Sequence, residues 1–119
     1  FPDRVDARTL ALAPTLTFSD KDQLQDRWVA QTVKARRPVL PTHRMASSQA
    51  FVDACIAGLA WGMNPELLVA RPLATGSLVE LIAKTPLDVP LYWQFTRLSA
   101  PALRPLTEAI RKAAAAALV

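Results

Sequence analysis

The sequence is poor in the residues from which many active sites and metal sites are built. Its 119 residues include one cysteine, Cys55, one histidine, His43, and three glycines. A single cysteine cannot form a disulfide within the chain, and with one histidine it falls short of the four ligands of a structural zinc site. Glycines at positions 58, 62 and 76 form neither a phosphate-binding loop nor a dinucleotide fingerprint. We expect no metal, no cofactor and a reducing, cytoplasmic compartment.

Long apolar runs are missing as well. The apolar stretch 113–119 is much shorter than the about 20 residues that a membrane span needs, and it follows Arg111 and Lys112. We therefore expect a soluble protein with no membrane partner. Residues 1–4 resemble neither an initiator region nor a signal peptide, so we expect the chain to be an internal piece of a longer protein.

The composition suits one globular domain, because 51% of the residues are hydrophobic. The net charge is +4, but the fourteen Lys and Arg residues are interspersed with ten acids. Their one tight group, Lys34, Arg36 and Arg37, lies just before Pro38. We interpret this group as a solvated turn after a helix. Direct contact of this chain with nucleic acid is the less favoured interpretation.

Short apolar runs alternate with longer amphipathic stretches, which is typical of alternating strands and helices. We predict strands at 13–18, 42–45, 60–63, 78–81 and 91–95. We predict helices from a cap at Ser19 or Asp20 to about residue 33, after Ser47 and Ser48 towards residue 58, at 64–69 and at 102–119. This order favours an α/β fold with a mixed, mostly parallel sheet flanked by helices and followed by a C-terminal helix.

The side chains offer little support for catalysis. Ser47 follows His43 by four residues, but no Gly-x-Ser-x-Gly turn surrounds this serine. A strand followed by a helix cap does not bring these two side chains together. Cys55 lies on the apolar face of a predicted helix with Phe51 and Leu59, where a thiol behaves as a small hydrophobe. We expect His43 to be an ordinary strand residue, Cys55 to lie in the core and the chain not to be an enzyme.

Two strand-to-helix junctions are better candidates for a binding site. In an open parallel sheet, small ligands bind where the carboxyl ends of strands lead into helix N-termini. The first junction is 18–22 and the second is 45–49. Their hydroxyl and free N–H groups could hold a carboxylate. A plain helix cap explains Ser47 equally well, and the acids of the first junction could serve only the cap and the helix dipole.

Residues 42–81 resemble the second regulatory subdomain of LysR-type transcriptional regulators. The resemblance rests on a strand followed by a Ser47-Ser48 helix start, on residues 58–65 ending in a proline, and on the Gly76-Ser77 turn before 78–81. Residues 91–93 look like the strand that returns to the first subdomain. The stretches 13–22 and 41–52 look most like the ArgP/LysG branch, which responds to arginine and lysine.

The resemblance implies the type II periplasmic-binding-protein fold of the family's effector domains. Residues 1–90 are expected to form the second regulatory subdomain, and 91–119 the return hinge strand and a C-terminal helix that belong to the first. The implied protein is a homodimer or tetramer that contacts DNA only through a winged helix-turn-helix domain outside this chain.

The resemblance also implies a small-molecule effector, a basic amino acid such as lysine or arginine. Phe18 and Met45 are expected to line its cleft, and Asp20 or Asp22 to face its cationic group. Hydroxyl and N–H donors are expected from Ser19, Ser47 and Ser48. The alternatives are a lobe of a solute-binding protein, which shares the fold, and a ligand-free dimerisation module. An enzyme ranks last.

Overall fold

The structure is a computed structural model that describes residues 4–33 and 38–119. The basic group predicted to form a turn, Lys34, Arg36 and Arg37, lies outside the described residues. The chain divides into two compact units, Phe1–Leu87 and Asp88–Val119.

The described part of the first unit contains four helices and two strands. They are α1 (Ala7–Leu12), β1 (Thr15–Thr17), α2 (Leu24–Thr32), β2 (Thr42–Arg44), α3 (Ser48–Ile56) and α4 (Glu66–Ala74). Helix α1 was not predicted, although Asp6 and Thr9 have the spacing of a helix-capping box. The Asp6 carboxylate accepts the backbone N–H groups of Arg8 and Thr9, and the Thr9 hydroxyl accepts the N–H of Asp6. This capping box satisfies N–H groups that a helix leaves unpaired at its start.

Strands β1 and β2 pair in parallel, with Thr15 opposite Thr42 and Thr17 opposite Arg44. On the other side of β1, Trp61 forms an isolated parallel bridge with Thr15 and accepts the N–H of Leu16 at 2.8 Å. Three parallel segments therefore lie side by side with β1 in the middle. The predicted parallel arrangement is confirmed, but the predicted third strand at 60–63 is reduced to this single bridge.

The predicted strands at 78–81 and 91–95 are wrong for the structure as described, because neither segment forms a strand there. A strand requires a neighbour with which to exchange backbone hydrogen bonds. Neither segment has such a neighbour within the described ranges, and Val79 and Leu91 are more than two-thirds exposed. Alternating apolar residues alone were therefore insufficient to form β structure at these two positions.

Two apolar clusters hold the first unit together. One contains Leu10 of α1, Trp28 and Val29 of α2, and Trp61. The rings of Trp28 and Trp61 lie 5.6 Å apart between centroids, and the Trp28 indole N–H donates to the carbonyl of Thr85 at 2.9 Å. The second cluster joins β1 to α3 and consists of Leu16, Phe51 and Ala54. Helices thus flank a small parallel sheet, as predicted.

Gly62 follows the Trp61 bridge and has a packing role. A Cβ atom at this position would lie 2.5 Å from Cε1 of Phe51, far inside van der Waals contact. Glycine therefore allows the Phe51 ring to pack directly over the backbone of the third parallel segment.

The predicted helices differ from the observed ones at the start of α2, on the buried face of α3 and at the end of α4. Helix α2 begins at Leu24 rather than after Ser19 or Asp20, and it buries Gln25 beside Trp28 and Val29. Helix α3 begins where predicted and buries Phe51, Val52 and Ala54. Two members of its predicted apolar face, Ile56 and Leu59, are instead 43% and 64% exposed. Helix α4 runs to Ala74, five residues beyond the predicted end, and contains Pro72.

The second unit contains a 3₁₀ turn at Arg97–Ser99 and the helix α5 at Arg104–Ala117, within the predicted range 102–119. The indole N–H of Trp93 donates to the hydroxyl of Thr107 at 3.1 Å. Several apolar side chains of this unit are strongly exposed, including Leu91, Tyr92 and Leu98. In the ranges 4–33 and 38–119, no helix is long and apolar enough to cross a membrane.

Candidate functional site

The two predicted junctions lie at the same edge of the sheet. Because β1 and β2 are parallel and in register, both strands end at this edge. The ladder continues one residue past β2, where the N–H of Met45 donates to the carbonyl of Thr17 at 2.8 Å. The residues that follow the two strands, 18–23 and 45–48, are therefore neighbours.

The first junction is organised by the carboxylate of Asp22. Its Oδ2 atom accepts the N–H of Phe18 at 2.9 Å and its Oδ1 atom accepts the N–H of Leu24 at 3.1 Å. Ser19 supports the same loop, because its carbonyl accepts the N–H of Asp22 and its hydroxyl accepts that of Lys21. A carboxylate offers about four lone-pair sites. Asp22 is half-buried and can still accept a ligand donor.

This loop explains why the predicted helix cap at Ser19 or Asp20 is wrong. Residues between Phe18 and Leu24 close around the Asp22 carboxylate instead of entering the helix. Helix α2 starts later, at Leu24, and its N-cap residue Gln23 makes no side-chain capping bond in the described structure. The capping role falls in part to Asp22, which accepts the N–H of Leu24 at the first position of α2.

Asp20 joins the first junction to the second. Its Oδ1 atom pairs with Nη2 of Arg44, the last residue of β2. Both side chains are largely exposed, 76% for Asp20 and 59% for Arg44. The carboxylate of Asp20 is therefore accessible to solvent and already paired with a cation of the chain.

The second junction has a conventional helix cap. The hydroxyl of Ser47 accepts the N–H of Ala50 at 3.4 Å, which confirms the predicted start of α3. Ser47 and Ser48 are both exposed. Met45 is half-buried and packs against the cluster of Leu16, Phe51 and Ala54. The second junction thus presents two exposed hydroxyl groups beside a partly buried thioether.

A shallow depression of about 380 Å³ opens at the first junction. Phe18, a residue that is 44% exposed, forms part of its wall. Its lining residues are Phe18, Ser19, Lys21, Asp22, Gln23, Leu24 and Arg27. Three of the predicted site residues, Phe18, Ser19 and Asp22, are among them. Asp20, Met45, Ser47 and Ser48 lie outside this lining.

Sequence reasoning missed the two cations of the depression, Lys21 and Arg27. Lys21 stands between the two predicted acids, and Arg27 lies one helical turn into α2. Their positions in the sequence could therefore have predicted that both lie at the first junction. Two cations beside the Asp22 carboxylate suit a small molecule that has both an acidic and a basic group, because charge-assisted hydrogen bonds are available to each.

The histidine and the cysteine do not line the depression. His43 is exposed on β2, opposite Leu16 in the sheet. Burial raises the pKa of the half-buried Cys55 thiol, and the hydrogen bond from the amide of Asn64 opposes this increase only in part. The predicted core cysteine therefore lies at the border of the core, in its thiol form at neutral pH. The described residues contain no group of three or more His, Cys, Asp or Glu side chains that could hold a metal ion.

Comparison with known proteins identifies a family and relatives. The model of the LysR substrate binding domain matches residues 2–115. The chain is 42% identical over 112 residues to the HTH-type transcriptional regulator LysG of Mycobacterium tuberculosis, an alignment that covers 94% of this chain and 36% of LysG. The chain thus spans little more than a third of the length of this relative.

Two solved structures have the same fold as this chain. ArgP from Mycobacterium tuberculosis superposes with a TM-score of 0.85 at 42% identity, covering 94% of this chain and 38% of ArgP. Full-length LysG from Corynebacterium glutamicum, solved with its bound effector arginine, superposes with a TM-score of 0.72 at 36% identity. That match covers 86% of this chain and 35% of LysG. The expected relation to the ArgP and LysG regulators is confirmed.

Proposed function

The chain belongs to the family of LysR substrate-binding domains, and we propose that it is the effector-binding part of a DNA-binding transcriptional regulator. We further propose that its effector is a basic amino acid such as arginine or lysine. The relatives named LysG and ArgP support the first statement, and the LysG structure with bound arginine supports the second.

One observation carries the proposal for this chain. Two strand-to-helix junctions meet at the carboxyl edge of a parallel sheet, and the acids of this edge, Asp20 and Asp22, lie on the first of them. Ligands of open α/β sheets bind at this kind of edge. The exposed ring of Phe18 and the half-buried Met45 provide apolar surface at the ends of the same strands.

Each side chain has a proposed role in holding the effector. Asp20 or Asp22 faces the cationic group, because a carboxylate and an ammonium or guanidinium form a charge-assisted pair. Phe18 and Met45 contact the aliphatic part of the effector. Its carboxylate receives hydrogen bonds from Ser19, Ser47, Ser48 and the free N–H groups at the helix starts.

We propose that residues 1–90 form the second regulatory subdomain and that 91–119 contribute a hinge strand and a helix to the first. The division between Leu87 and Asp88 supports this boundary. The exposed apolar side chains of the second unit support its packing against further protein. In such a sensor, the effector shifts the equilibrium towards a closed arrangement of subdomains, because it binds that arrangement more tightly.

The remaining parts of the proposal concern the whole protein. It acts in the cytoplasm as a homodimer or tetramer, and it contacts DNA through a winged helix-turn-helix domain outside this chain. We propose that it has no enzymatic activity, which is supported by relatives that are transcriptional regulators.

A titration with matched ligands tests the proposal. The full-length protein is titrated with arginine, lysine and citrulline, which has the shape of arginine but no positive charge. Tryptophan fluorescence and the melting temperature are followed together. We expect arginine and lysine to bind saturably and to raise the melting temperature, because a ligand that binds only the native state stabilises it. Stabilisation by citrulline alone would contradict a basic effector, and no response to any of the three would favour the dimerisation module.

Charge-removing substitutions identify the carboxylate that faces the effector. We expect Asp22→Asn or Asp20→Asn to weaken arginine binding about tenfold or more, as for the loss of a charged hydrogen bond, and to change citrulline binding much less. Asp26→Asn is the matched control, because Asp26 is exposed on α2 and does not line the depression. Equal losses for arginine and citrulline would indicate local unfolding and contradict a role for charge.

A further inference from the structure

We propose that Arg44 is an internal competitor of the effector, whose guanidinium occupies the Asp20 carboxylate until a cationic ligand displaces it. This inference rests on the proposed function and identifies a residue that sets the affinity of the same site. Its basis is the contact between Nη2 of Arg44 and Oδ1 of Asp20 at the edge where both junctions meet.

The backbone of β2 fixes the position from which Arg44 reaches Asp20. Arg44 stands opposite Thr17 in the sheet, and the next residue, Met45, donates its N–H to the Thr17 carbonyl. Successive side chains of a strand point to opposite faces. Because Met45 packs against α3, Arg44 points to the other face, where it meets the acid of the first junction.

Because this ion pair is exposed, a cationic ligand can replace the Arg44 guanidinium at the Asp20 carboxylate. Both side chains are more than half exposed, and the contact uses one nitrogen and one oxygen. Exposed ion pairs are weak, so the pair opens readily in the absence of ligand. An effector guanidinium carries the same charge and the same donors as Arg44, so the two compete for one carboxylate.

With competition of this kind, the apparent affinity equals the intrinsic affinity multiplied by the fraction of molecules in which Asp20 is free. For an exposed ion pair, this corresponds to an affinity about two to five times lower than that of a site with a free Asp20. A neutral ligand that makes no use of Asp20 is not affected. Arg44 thus sets the concentration at which a cationic effector is sensed.

Calorimetric titration of the full-length protein with arginine and citrulline tests this inference. We expect Arg44→Gln to increase the affinity for arginine about two- to fivefold and to leave citrulline binding unchanged. Arg71→Gln, on the exposed surface of α4, removes the same charge and controls for a general electrostatic effect. A gain in affinity is informative because damage to the fold would produce a loss.

A double substitution locates the effect. In the Asp20→Asn protein, Arg44 and the effector have no carboxylate for which to compete. Adding Arg44→Gln is therefore expected to give no further gain in affinity for arginine. A loss of affinity for both ligands in Arg44→Gln would identify Arg44 as a partner of the ligand carboxylate and overturn the proposal. An unchanged affinity, or an equal gain in Arg71→Gln, would overturn it as well. If the wild-type protein does not prefer arginine to citrulline, that result contradicts the proposed basic effector itself and not only the role of Arg44.

Discussion

The junction after β1 depends on a side chain in the middle of a loop, whereas the junction after β2 depends on the residue that precedes its helix. At the first, Asp22 accepts backbone N–H groups on both sides of itself, from Phe18 and Leu24. At the second, Ser47 accepts a single N–H three residues later. The first arrangement gives an open loop of six residues, and the second gives a short, direct entry into α3.

From this difference we expect the two junctions to contribute unequally to ligand binding. The loop at the first junction creates a depression, and at the start of α2 it is Asp22 rather than the N-cap residue Gln23 that accepts a backbone N–H. At the second junction the Ser47 hydroxyl accepts an N–H of its own helix, and both Ser47 and Ser48 are exposed. We therefore expect the first junction to be both the main ligand-binding element and the more sensitive of the two to substitution.

Loss of the Asp22 carboxylate should produce the largest difference between the junctions. We expect Asp22→Ala to lower the free energy of unfolding by about 2 kcal/mol, because two backbone N–H groups lose their acceptor. Asp26→Ala, on the exposed side of the same helix start, should cost less than about 0.5 kcal/mol. Urea denaturation measures both, and equal costs would contradict the organising role of Asp22.

Loss of the Ser47 cap should have a smaller effect. Its capping bond is long, at 3.4 Å, so we expect Ser47→Ala to cost about 0.5 to 1 kcal/mol, in the lower part of the range for N-caps. Ser48→Ala removes the same hydroxyl one residue later, at a helical position where alanine is favourable, and should be nearly neutral. The assignment of the cap would be wrong if Ser48→Ala cost as much as Ser47→Ala in thermal or urea unfolding.

The helices that follow the junctions also differ in what they bury, which leads to the smallest expected effect. Helix α3 buries only apolar side chains, whereas α2 buries Gln25, whose amide atoms have no hydrogen-bond partner among the described residues. We expect Gln25→Met to raise the free energy of unfolding by up to about 0.5 kcal/mol, because burial of an unpaired amide is costly.

Gln23→Met is the matched control for this substitution, because Gln23 is exposed two residues earlier, at the N-cap position of α2. It should leave the stability unchanged. A loss of 1 kcal/mol or more in Gln25→Met would show that the Gln25 amide has a partner in the whole protein.

The sequence predicted the second junction better than the first for a physical reason. Ser47 precedes an apolar pattern of helical period, which predicts that it caps the helix whether or not it also contacts a ligand. The first junction offers Ser19, Asp20 and Asp22 in succession, and all three can accept backbone N–H groups. The choice of Asp22 depends on the path of the loop, which local patterns do not encode.

The parallel direction of the sheet was predicted correctly, but the number of its strands was not, because strand pairing depends on segments that are distant in the sequence. The parallel pair of β1 and β2 was correctly located, whereas the apolar run at 60–63 contributes only the bridge at Trp61. The runs at 78–81 and 91–95 have suitable residues but no neighbouring strand within the described chain. The family and its branch were identified from the resemblance, and the comparisons confirm them.

A crystal structure of the full-length protein with bound arginine tests the central claim most directly. We predict that arginine lies where β1 and β2 end, with its cationic group within hydrogen-bonding distance of Asp20 or Asp22 and its aliphatic part against Phe18. We also predict that Arg44 has moved away from Asp20. Arginine bound at another place, with neither junction in contact, would contradict the account.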